Sequence, residues 1–188
     1  MKDFNEDSSF VSGFTRARIC VSCLILLLFG FASSGAAQES RAEQVQVKYD
    51  EAKDTTTIVL NPFVLVSRRH EELRLSAVTS HKGKSRARPK EIALIFISFS
   101  SSNVSRYETA RKLTVTADAQ PFLLGETQYS KQSQKGVFIE SMAAVVAFDT
   151  FLRIANAKVV TIKLGLTTLK LSSQHVTMLR AAVSYMSP

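Results

Sequence analysis

Beyond residue 43 the chain alternates between apolar and polar residues, which is the pattern of strands that bury one face. Three such strands are predicted early in this region, at 44–50, 55–66 and 73–77. A polar segment at 50–54 predicts a turn between the first two strands. Pro62 indicates an edge or a bulge within the second strand, because proline cannot donate a hydrogen bond to a neighbouring strand.

The segment 92–99 differs from these strands because apolar residues occupy both of its faces. A strand of this kind belongs in the middle of a sheet that is covered on each side. Its predicted neighbour is 137–148, which is apolar on both faces from Met142 onward. Weaker strands are predicted at 113–117 and 122–127, and polar clusters predict loops at 100–106 and 128–135.

The last quarter of the chain predicts a helix, a hairpin and a second helix. Asp149 is the expected N-cap of a short helix at 150–157, because a side-chain oxygen there accepts from a free backbone N–H. Gly165 divides two short apolar strands and is expected in a tight turn. Ser172 or Ser173 is expected to cap the last helix. One stripe of that helix is apolar and consists of Val176, Leu179, Val183 and Met186.

These elements amount to eight or nine strands and two short helices, so the predicted fold is mainly β. Strands follow one another without the helices that parallel crossovers require, which favours an antiparallel sheet. We predict a β-sandwich or two-layer sheet with a short internal helix and a C-terminal amphipathic helix packed on it; a closed barrel is the alternative. The predicted organisation is a signal peptide at 1–37, a flexible tail at 38–43 and a single domain at 44–188.

The N-terminal part of the chain has the features of a secretory signal peptide. An uncharged apolar run at 19–31 follows Arg16 and Arg18 and precedes a series of small residues. This is the order of a basic region, a hydrophobic core and a cleavage zone, with cleavage expected before Gln38. The alternative is an inner-membrane anchor through 19–37, although a spanning helix needs roughly 20 apolar residues. The sequence therefore predicts export to the periplasm or the exterior.

Composition places the charge and the cysteines in different parts of the chain. The net charge is +8, from 24 basic and 16 acidic residues. The predicted signal holds three residues of each kind, so the whole excess falls on the exported domain. Cys20 and Cys23 both lie in the signal, so the domain has no disulfide and no thiol nucleophile. A basic exported domain is attracted to anionic lipids and polymers of the cell envelope.

The most unusual local pattern is a run of basic residues on alternate positions, namely Lys82, Lys84, Arg86, Arg88 and Lys90. In an extended chain these side chains project to one side about 7 Å apart, which predicts an anion-binding surface. Arg68 and Arg69 would join it if the preceding strand folds back. The alternative is a solvated hairpin tip that protects an edge strand. Nucleic acid is not expected as the partner, because the protein is predicted to be exported and no aromatic residues are interleaved with the basic ones.

No other pattern predicts a catalytic, cofactor or metal site. His70, His81 and His175 do not share a metal-ligand spacing and are expected on the surface. The glycines are scattered singly, and there is no Gly-x-Ser-x-Gly nucleophile motif. Glu140 interrupts an otherwise apolar strand. It is either a partly buried carboxylate or an outward-facing strand residue.

Three functions follow from these observations. The leading hypothesis is a non-enzymatic binding or structural domain of the cell envelope that contacts an anionic surface or polymer through its basic residues. The second is a hydrolase of envelope polymers, which would require a deep pocket with convergent polar side chains. The third is a protein-interaction module that offers an unpaired sheet edge to a partner. The sequence resembles no characterised family.

Overall fold

The computed structural model describes residues 44–101, 105–134 and 136–187. They belong to a compact unit that spans Glu39–Pro188. The predicted signal peptide and tail at 1–43 lie outside the described residues. The strands are β1 (Val45–Asp50), β2 (Thr55–Arg68), β3 (Glu71–Lys82), β4 (Glu91–Ser100), β5 (Lys112–Ala117), β6 (Gln120–Glu126), β7 (Gln128–Gln134), β8 (Val137–Ala147), β9 (Val160–Leu164) and β10 (Thr167–Lys170). The helices are α1 (Phe148–Asn156) and α2 (Ser173–Met186).

The ten described strands form two antiparallel sheets. The larger sheet has the order β1-β2-β3-β4-β8-β7, and the smaller one has the order β10-β9-β5-β6. Their inward-facing side chains share one core with the buried faces of α1 and α2. The predicted two-layer antiparallel fold with a C-terminal helix is confirmed, and the closed-barrel alternative is wrong because the strands divide into two sheets.

The central position of β4 follows from its apolar pattern. It lies between β3 and β8, and the cross-strand row Leu75, Phe96 and Met142 is almost fully buried. Ile95 and Ile97 on the opposite face of β4 are buried as well. The expected pairing of β4 with the segment at 137–148 is therefore confirmed. A shift of register between Leu60 and Phe63 confirms the bulge that Pro62 predicted in β2.

The segment at 128–135 was predicted to be a loop, and this prediction is wrong. Gln128–Gln134 is strand β7, which pairs with β8 from one end to the other. Most of its side chains are exposed, because β7 is an edge strand that buries little of either face. The hydrogen-bonded ladder with β8 holds this polar segment in a sheet without an apolar alternation.

The two helices begin differently from each other. α1 starts directly where β8 ends, its N-cap is Ala147, and no side chain caps it. The prediction of Asp149 as the cap is wrong: it lies in the first turn, where a negative charge favours the positive end of the helix dipole. In α2 the cap was predicted at Ser172 or Ser173, and it is Ser172.

The C-terminal hairpin and helix follow the predicted pattern closely. Gly165 lies in the β9–β10 turn with φ of +56°, a conformation that favours glycine. The buried stripe of α2 consists of Val176, Leu179, Ala182 and Met186. Ala182 therefore takes the core position that was predicted for Val183, which is only partly buried against the core.

Candidate functional site

The basic residues lie at the β3–β4 hairpin, in a loop whose two ends are fixed. Gly83 N–H donates to the Asp54 carbonyl at 2.9 Å, and Thr56 Oγ1 donates to the Gly83 carbonyl at 2.6 Å. At the other end, Phe148 N–H donates to the Lys90 carbonyl at 2.9 Å. These hydrogen bonds tie the loop to the β1–β2 turn and to the start of α1.

All five alternating basic side chains are exposed, and we call Lys82, Lys84, Arg86, Arg88 and Lys90 the basic row. Lys82 ends β3, and the other four lie in the loop, which has no strand geometry. Between them, Pro89 is buried and Ala87 is partly buried. The loop therefore turns its small apolar residues towards the protein and its cations towards solvent.

Three cations of the basic row lie over aromatic rings from distant parts of the chain. Lys84 Nζ is 4.8 Å from the ring centroid of Tyr49. The guanidinium carbon of Arg86 is 5.9 Å from the ring centroid of Tyr185, and that of Arg88 is 5.2 Å from the ring centroid of Phe148. Cation–π contacts of this kind orient exposed basic side chains at a modest energetic gain. Sequence reasoning missed them because the rings come from β1, α2 and α1.

Two members of the basic row are also paired with carboxylates. Lys84 Nζ lies 3.5 Å from Glu51 Oε1, and Arg88 pairs with Asp149. All four side chains are more than half exposed, so these pairs are weak and an external anion can replace the carboxylate. The other three cations make no ion pair with a described residue; they are Lys82, Arg86 and Lys90.

Arg68 and Arg69 do not extend the basic row. The register of β2 against β3 pairs Arg68 with Glu71, at the opposite end of β3 from Lys82. Eleven residues of extended chain separate the two ends, which is about 36 Å. The preceding strand does fold back, but its antiparallel direction carries these two arginines to the far end of the sheet.

A second group of chemically distinctive residues surrounds the carboxylate of Glu140. This side chain is 1% exposed and faces the core, so the expectation of a buried carboxylate is confirmed and the outward-facing alternative is wrong. Oε1 accepts from Ser105 Oγ at 2.6 Å, from the Tyr129 hydroxyl at 2.9 Å and from Tyr107 N–H at 3.1 Å. Oε2 accepts from Arg106 N–H at 3.1 Å.

These hydrogen bonds keep Glu140 charged. Burial by itself raises the pKa of its carboxyl group, but the hydrogen bonds from Ser105, the backbone and Tyr129 outweigh burial and hold the pKa below 4.5. Burial also raises the pKa of Tyr129 to about 12, so this phenol keeps the proton that it donates. Through these hydrogen bonds the segment that begins at Ser105 is attached to Tyr129 of β7 and to Glu140 of β8.

Glu71 provides a second carboxylate nearby on β3. Its Oε2 lies 2.8 Å from Arg106 Nη1, and its Oε1 accepts from the Tyr107 hydroxyl at 3.2 Å. That hydroxyl also lies 3.2 Å from Thr167 Oγ1, and burial raises the pKa of Tyr107 to about 12. Both carboxylates are thus occupied by groups of the protein itself, which is the arrangement of a structural polar cluster.

The histidines have local roles. His175 Nδ1 accepts from Ser172 N–H at 3.3 Å, while His175 N–H donates to Ser172 Oγ at 3.2 Å, which completes a reciprocal cap of α2. The expected surface position is wrong for this residue, because it is partly buried and its ring centroid lies 5.4 Å from that of Phe63. Among the described residues, no three His, Cys, Asp or Glu side chains are grouped so that they could hold a metal ion.

An open groove of about 440 Å³ lies between the β5–β6 turn and α1. Two polar side chains on its rim, Arg153 and Gln120, are hydrogen-bonded to each other, and Asp118 accepts from the backbone N–H groups of Lys158 and Val159. The remaining polar side chain of the lining is Asn156. In the part of the chain that the structure describes, no helix is both long enough and apolar enough to cross a membrane.

The fold and these sites define a two-sheet antiparallel β domain with a fixed basic loop and a buried carboxylate cluster. Comparisons with models of protein families, with curated proteins and with solved structures gave no match to this chain.

Proposed function

We propose that this chain is an exported, non-enzymatic domain that uses its basic row to bind an anionic surface or polymer of the cell envelope. The observation that carries the proposal is the combination of a fixed loop and exposed cations. The loop is hydrogen-bonded at both ends, and all five basic side chains point to solvent. Because the loop is already ordered, binding costs little conformational entropy beyond that of the side chains themselves.

The excess positive charge of the chain supports the same proposal. Long-range attraction by a basic domain raises its rate of encounter with anionic surfaces. Close contact then replaces the weak ion pairs of Lys84 and Arg88 with pairs to the ligand, and it adds pairs for the three unpaired cations of the row. Such binding weakens as ionic strength rises.

The test compares two double variants that remove the same charge. Arg86→Gln with Lys90→Gln lies in the basic row, and Arg68→Gln with Arg69→Gln lies at the far end of β3. Binding to vesicles of phosphatidylglycerol and phosphatidylcholine, and to a purified anionic envelope polymer, is measured across a salt series. At about 1 kcal/mol for each basic residue near an anionic surface, the first variant should bind about 30-fold more weakly and the control less than about threefold. Absent binding, salt-independent binding or equal effects of the two variants would contradict the proposal.

Export is part of the proposal and has its own test. The full chain is produced in a bacterial host and located by cell fractionation, and the N-terminus of the recovered protein is determined by mass spectrometry. Cleavage before Gln38 and recovery outside the cytoplasm are expected. Recovery of the uncleaved chain in the membrane fraction would favour the anchor through 19–37. Recovery in the cytoplasm would contradict export.

A second candidate function is protein interaction through β7. This strand pairs only with β8 among the described strands, and its one charged side chain, Lys131, is paired with Glu108 at 2.7 Å. A seven-residue polar edge with no free charge lacks the usual protection against strand addition. A photo-crosslinking residue at Gln132 should give one discrete adduct in cells, and the same residue at Gln174, which is exposed on α2, should not. Absence of an adduct at Gln132 would contradict this function.

A further inference from the structure

The outward face of the smaller sheet carries a second cationic surface that the basic row does not include. Leu113, Val115, Ile162 and Leu164 point from β5 and β9 into the core, so the residues between them point outward. On β5, β9 and β10 the outward residues are lysines and threonines only, namely Lys112, Thr114, Thr116, Thr161, Lys163, Thr168 and Lys170. We call these seven residues the lysine–threonine face.

The three lysines of this face form a straight diagonal row across three strands. Leu113 of β5 pairs with Leu164 of β9. Because the two strands are antiparallel, Lys112 and Lys163 lie on opposite sides of that pair, two residues apart along the sheet. Lys170 of β10 lies two residues further along in the same direction. Diagonal neighbours on adjacent strands are about 7–8 Å apart, so the row extends over about 15 Å.

Within the described chain the charges of this row are balanced only in part, because Lys163 and Lys170 have threonines opposite them and only Lys112 has a carboxylate opposite it. None of the three lysines makes an ion pair with a described residue. The carboxylate nearest in register is Glu126 of β6, opposite Lys112, and it pairs with Arg111 at 3.5 Å. The hydroxyl groups of the four threonines have no hydrogen-bond partner among the described residues. The face thus offers free cations and free hydroxyl donors together.

Two exposed leucines lie at the smaller sheet, one on a strand and one in a turn. Leu166, at the β9–β10 turn, is 92% exposed, and Leu123, opposite Thr114 on β6, is 74% exposed. They are the two most exposed large apolar side chains in the described part of the chain. Single exposed leucines are ordinary on protein surfaces. Apolar side chains near basic ones strengthen binding to an anionic lipid surface, because burial of apolar area adds to the electrostatic attraction.

We propose that the lysine–threonine face, together with Leu123 and Leu166, docks on an anionic lipid bilayer. The lysines contact lipid phosphates, the threonine hydroxyls donate to them, and the two leucines enter the boundary between head groups and acyl chains. A soluble polyanion would explain the lysines but leave the leucines in water, so a bilayer accounts for more of the face. The inference does not rest on the proposed function, because it uses no residue of the basic row.

The experiment uses residues 38–188, which contain the whole compact unit Glu39–Pro188 and leave out the apolar run at 19–31. Vesicles of phosphatidylcholine with and without 30% phosphatidylglycerol are compared at low and high salt. One double variant, Lys163→Gln with Lys170→Gln, removes charge from the face. A second, Leu123→Ser with Leu166→Ser, removes its apolar side chains. Both variants, and the matched charge control Arg68→Gln with Arg69→Gln, are made in a chain that also carries Arg86→Gln with Lys90→Gln, so that the basic row does not mask the face. The chain with Arg86→Gln and Lys90→Gln alone tests the basic row separately. Circular dichroism of each variant checks that the fold is unchanged.

The lysine variant should bind anionic vesicles about 30-fold more weakly at low salt, and the loss should shrink as salt rises. The leucine variant should lose affinity to a similar extent at low and high salt, because apolar contacts are not screened. A loss of less than about threefold in the lysine variant, as in the charge control, would overturn the inference. If only the lysine variant lost vesicle affinity, the leucine variant did not, and inorganic polyphosphate displaced the protein fully from vesicles, the partner would be a linear polyanion and the bilayer would be wrong. Failure of the basic-row variant alone would contradict only the proposed function.

Discussion

The substitution Glu140→Gln should destabilise the protein strongly although it preserves size and shape. The carboxylate is buried and accepts four hydrogen bonds, three of them at Oε1 and one at Oε2. An amide has only one oxygen, and that oxygen takes the position with three donors. The amide nitrogen then faces Arg106 N–H. Both of these groups are donors, so the hydrogen bond that Arg106 N–H makes to Oε2 in the wild type is lost.

The size of the effect can be worked from these four contacts. A hydrogen bond to a charged group is worth about 1.5–3 kcal/mol, and a buried donor left unpaired costs about 1–3 kcal/mol. The three remaining bonds also weaken, because they now reach a neutral oxygen. Removing the desolvation cost of the charge offsets part of this loss. We expect a net decrease of about 2–4 kcal/mol in the free energy of unfolding, a large share of the roughly 5–15 kcal/mol that is typical of a domain.

The assay is urea unfolding at pH 7, followed by far-UV circular dichroism. Glu126→Gln is the matched control, because it is the same chemical change at a side chain that is 66% exposed and 3.5 Å from Arg111; it should cost less than about 0.5 kcal/mol. Tyr129→Phe removes one donor and should cost about 1 kcal/mol. If Glu140→Gln were no more destabilising than its control, the polar cluster would contribute no net stability and the reasoning would be refuted.

The pH dependence gives the same prediction a second test. The folded-state pKa of Glu140 lies below its ordinary value of 4.5. Stability from the charged form is therefore fully present above pH 4.5 and is lost as pH falls through the folded-state pKa. The difference in unfolding free energy between the wild type and Glu140→Gln should shrink in acid. A difference that stays constant between pH 7 and pH 3 would contradict the assignment of a charged carboxylate.

Two further predictions concern the C-terminal hairpin and helix. Gly165→Ala should lower the unfolding free energy, measured in urea, by about 3 kcal/mol or more, because a Cβ would lie 1.8 Å from the Ala110 carbonyl oxygen at φ of +56°. The control is Gly125→Ala, where φ is +82° and nothing lies within 4 Å, and it should cost about 1–2 kcal/mol. Equal costs for the two variants would contradict the close approach at Gly165. Burial lowers the pKa of His175 below 6.5, so its stabilising neutral form is lost as pH falls from 6.5 towards the folded-state pKa. His175→Gln keeps a capping acceptor without titrating, so urea unfolding should show the wild type losing stability relative to this variant between pH 7 and pH 5.5; parallel losses would contradict the cap.

The parts of the fold that the sequence predicted are those that burial dictates. The two-sided apolar pattern of β4 placed it in the middle of a sheet and selected β8 as its neighbour. The cap of α2 was narrowed to Ser172 or Ser173 because capping depends on residues within one turn. Strand β7 was missed because its seven residues are almost all polar, so only the ladder with β8 makes it a strand. Asp149 was misplaced because β8 passes into α1 without the break that a capped start would need.

The candidate sites were predictable only as far as they are local. The basic row alternates within nine consecutive residues, so the sequence alone showed the pattern, and its five side chains are exposed as expected. The rings of Tyr49 and Tyr185 come from β1 and α2, and no local pattern connects them to the loop. The diagonal of lysines on the smaller sheet depends on the register of Leu113 against Leu164. A shift of one residue in that register would break the row, since each lysine belongs to a different strand.

Binding and stability should be carried by different residues in this protein. The cations of the basic row and of the lysine–threonine face are exposed, and the ring contacts and ion pairs that some of them make within the chain are weak, so neutralising two of them should change the unfolding free energy by less than about 1 kcal/mol. Glu140 and Glu71 are buried and hydrogen-bonded or ion-paired to Ser105, Arg106 and Tyr107, so we expect them to hold that segment in place. Glu140→Gln should therefore lower stability while vesicle binding of the folded protein is unchanged. If that variant lost binding in proportion to the basic-row variant, the buried cluster would have to position the binding surface, and the division between structural and binding residues would fail.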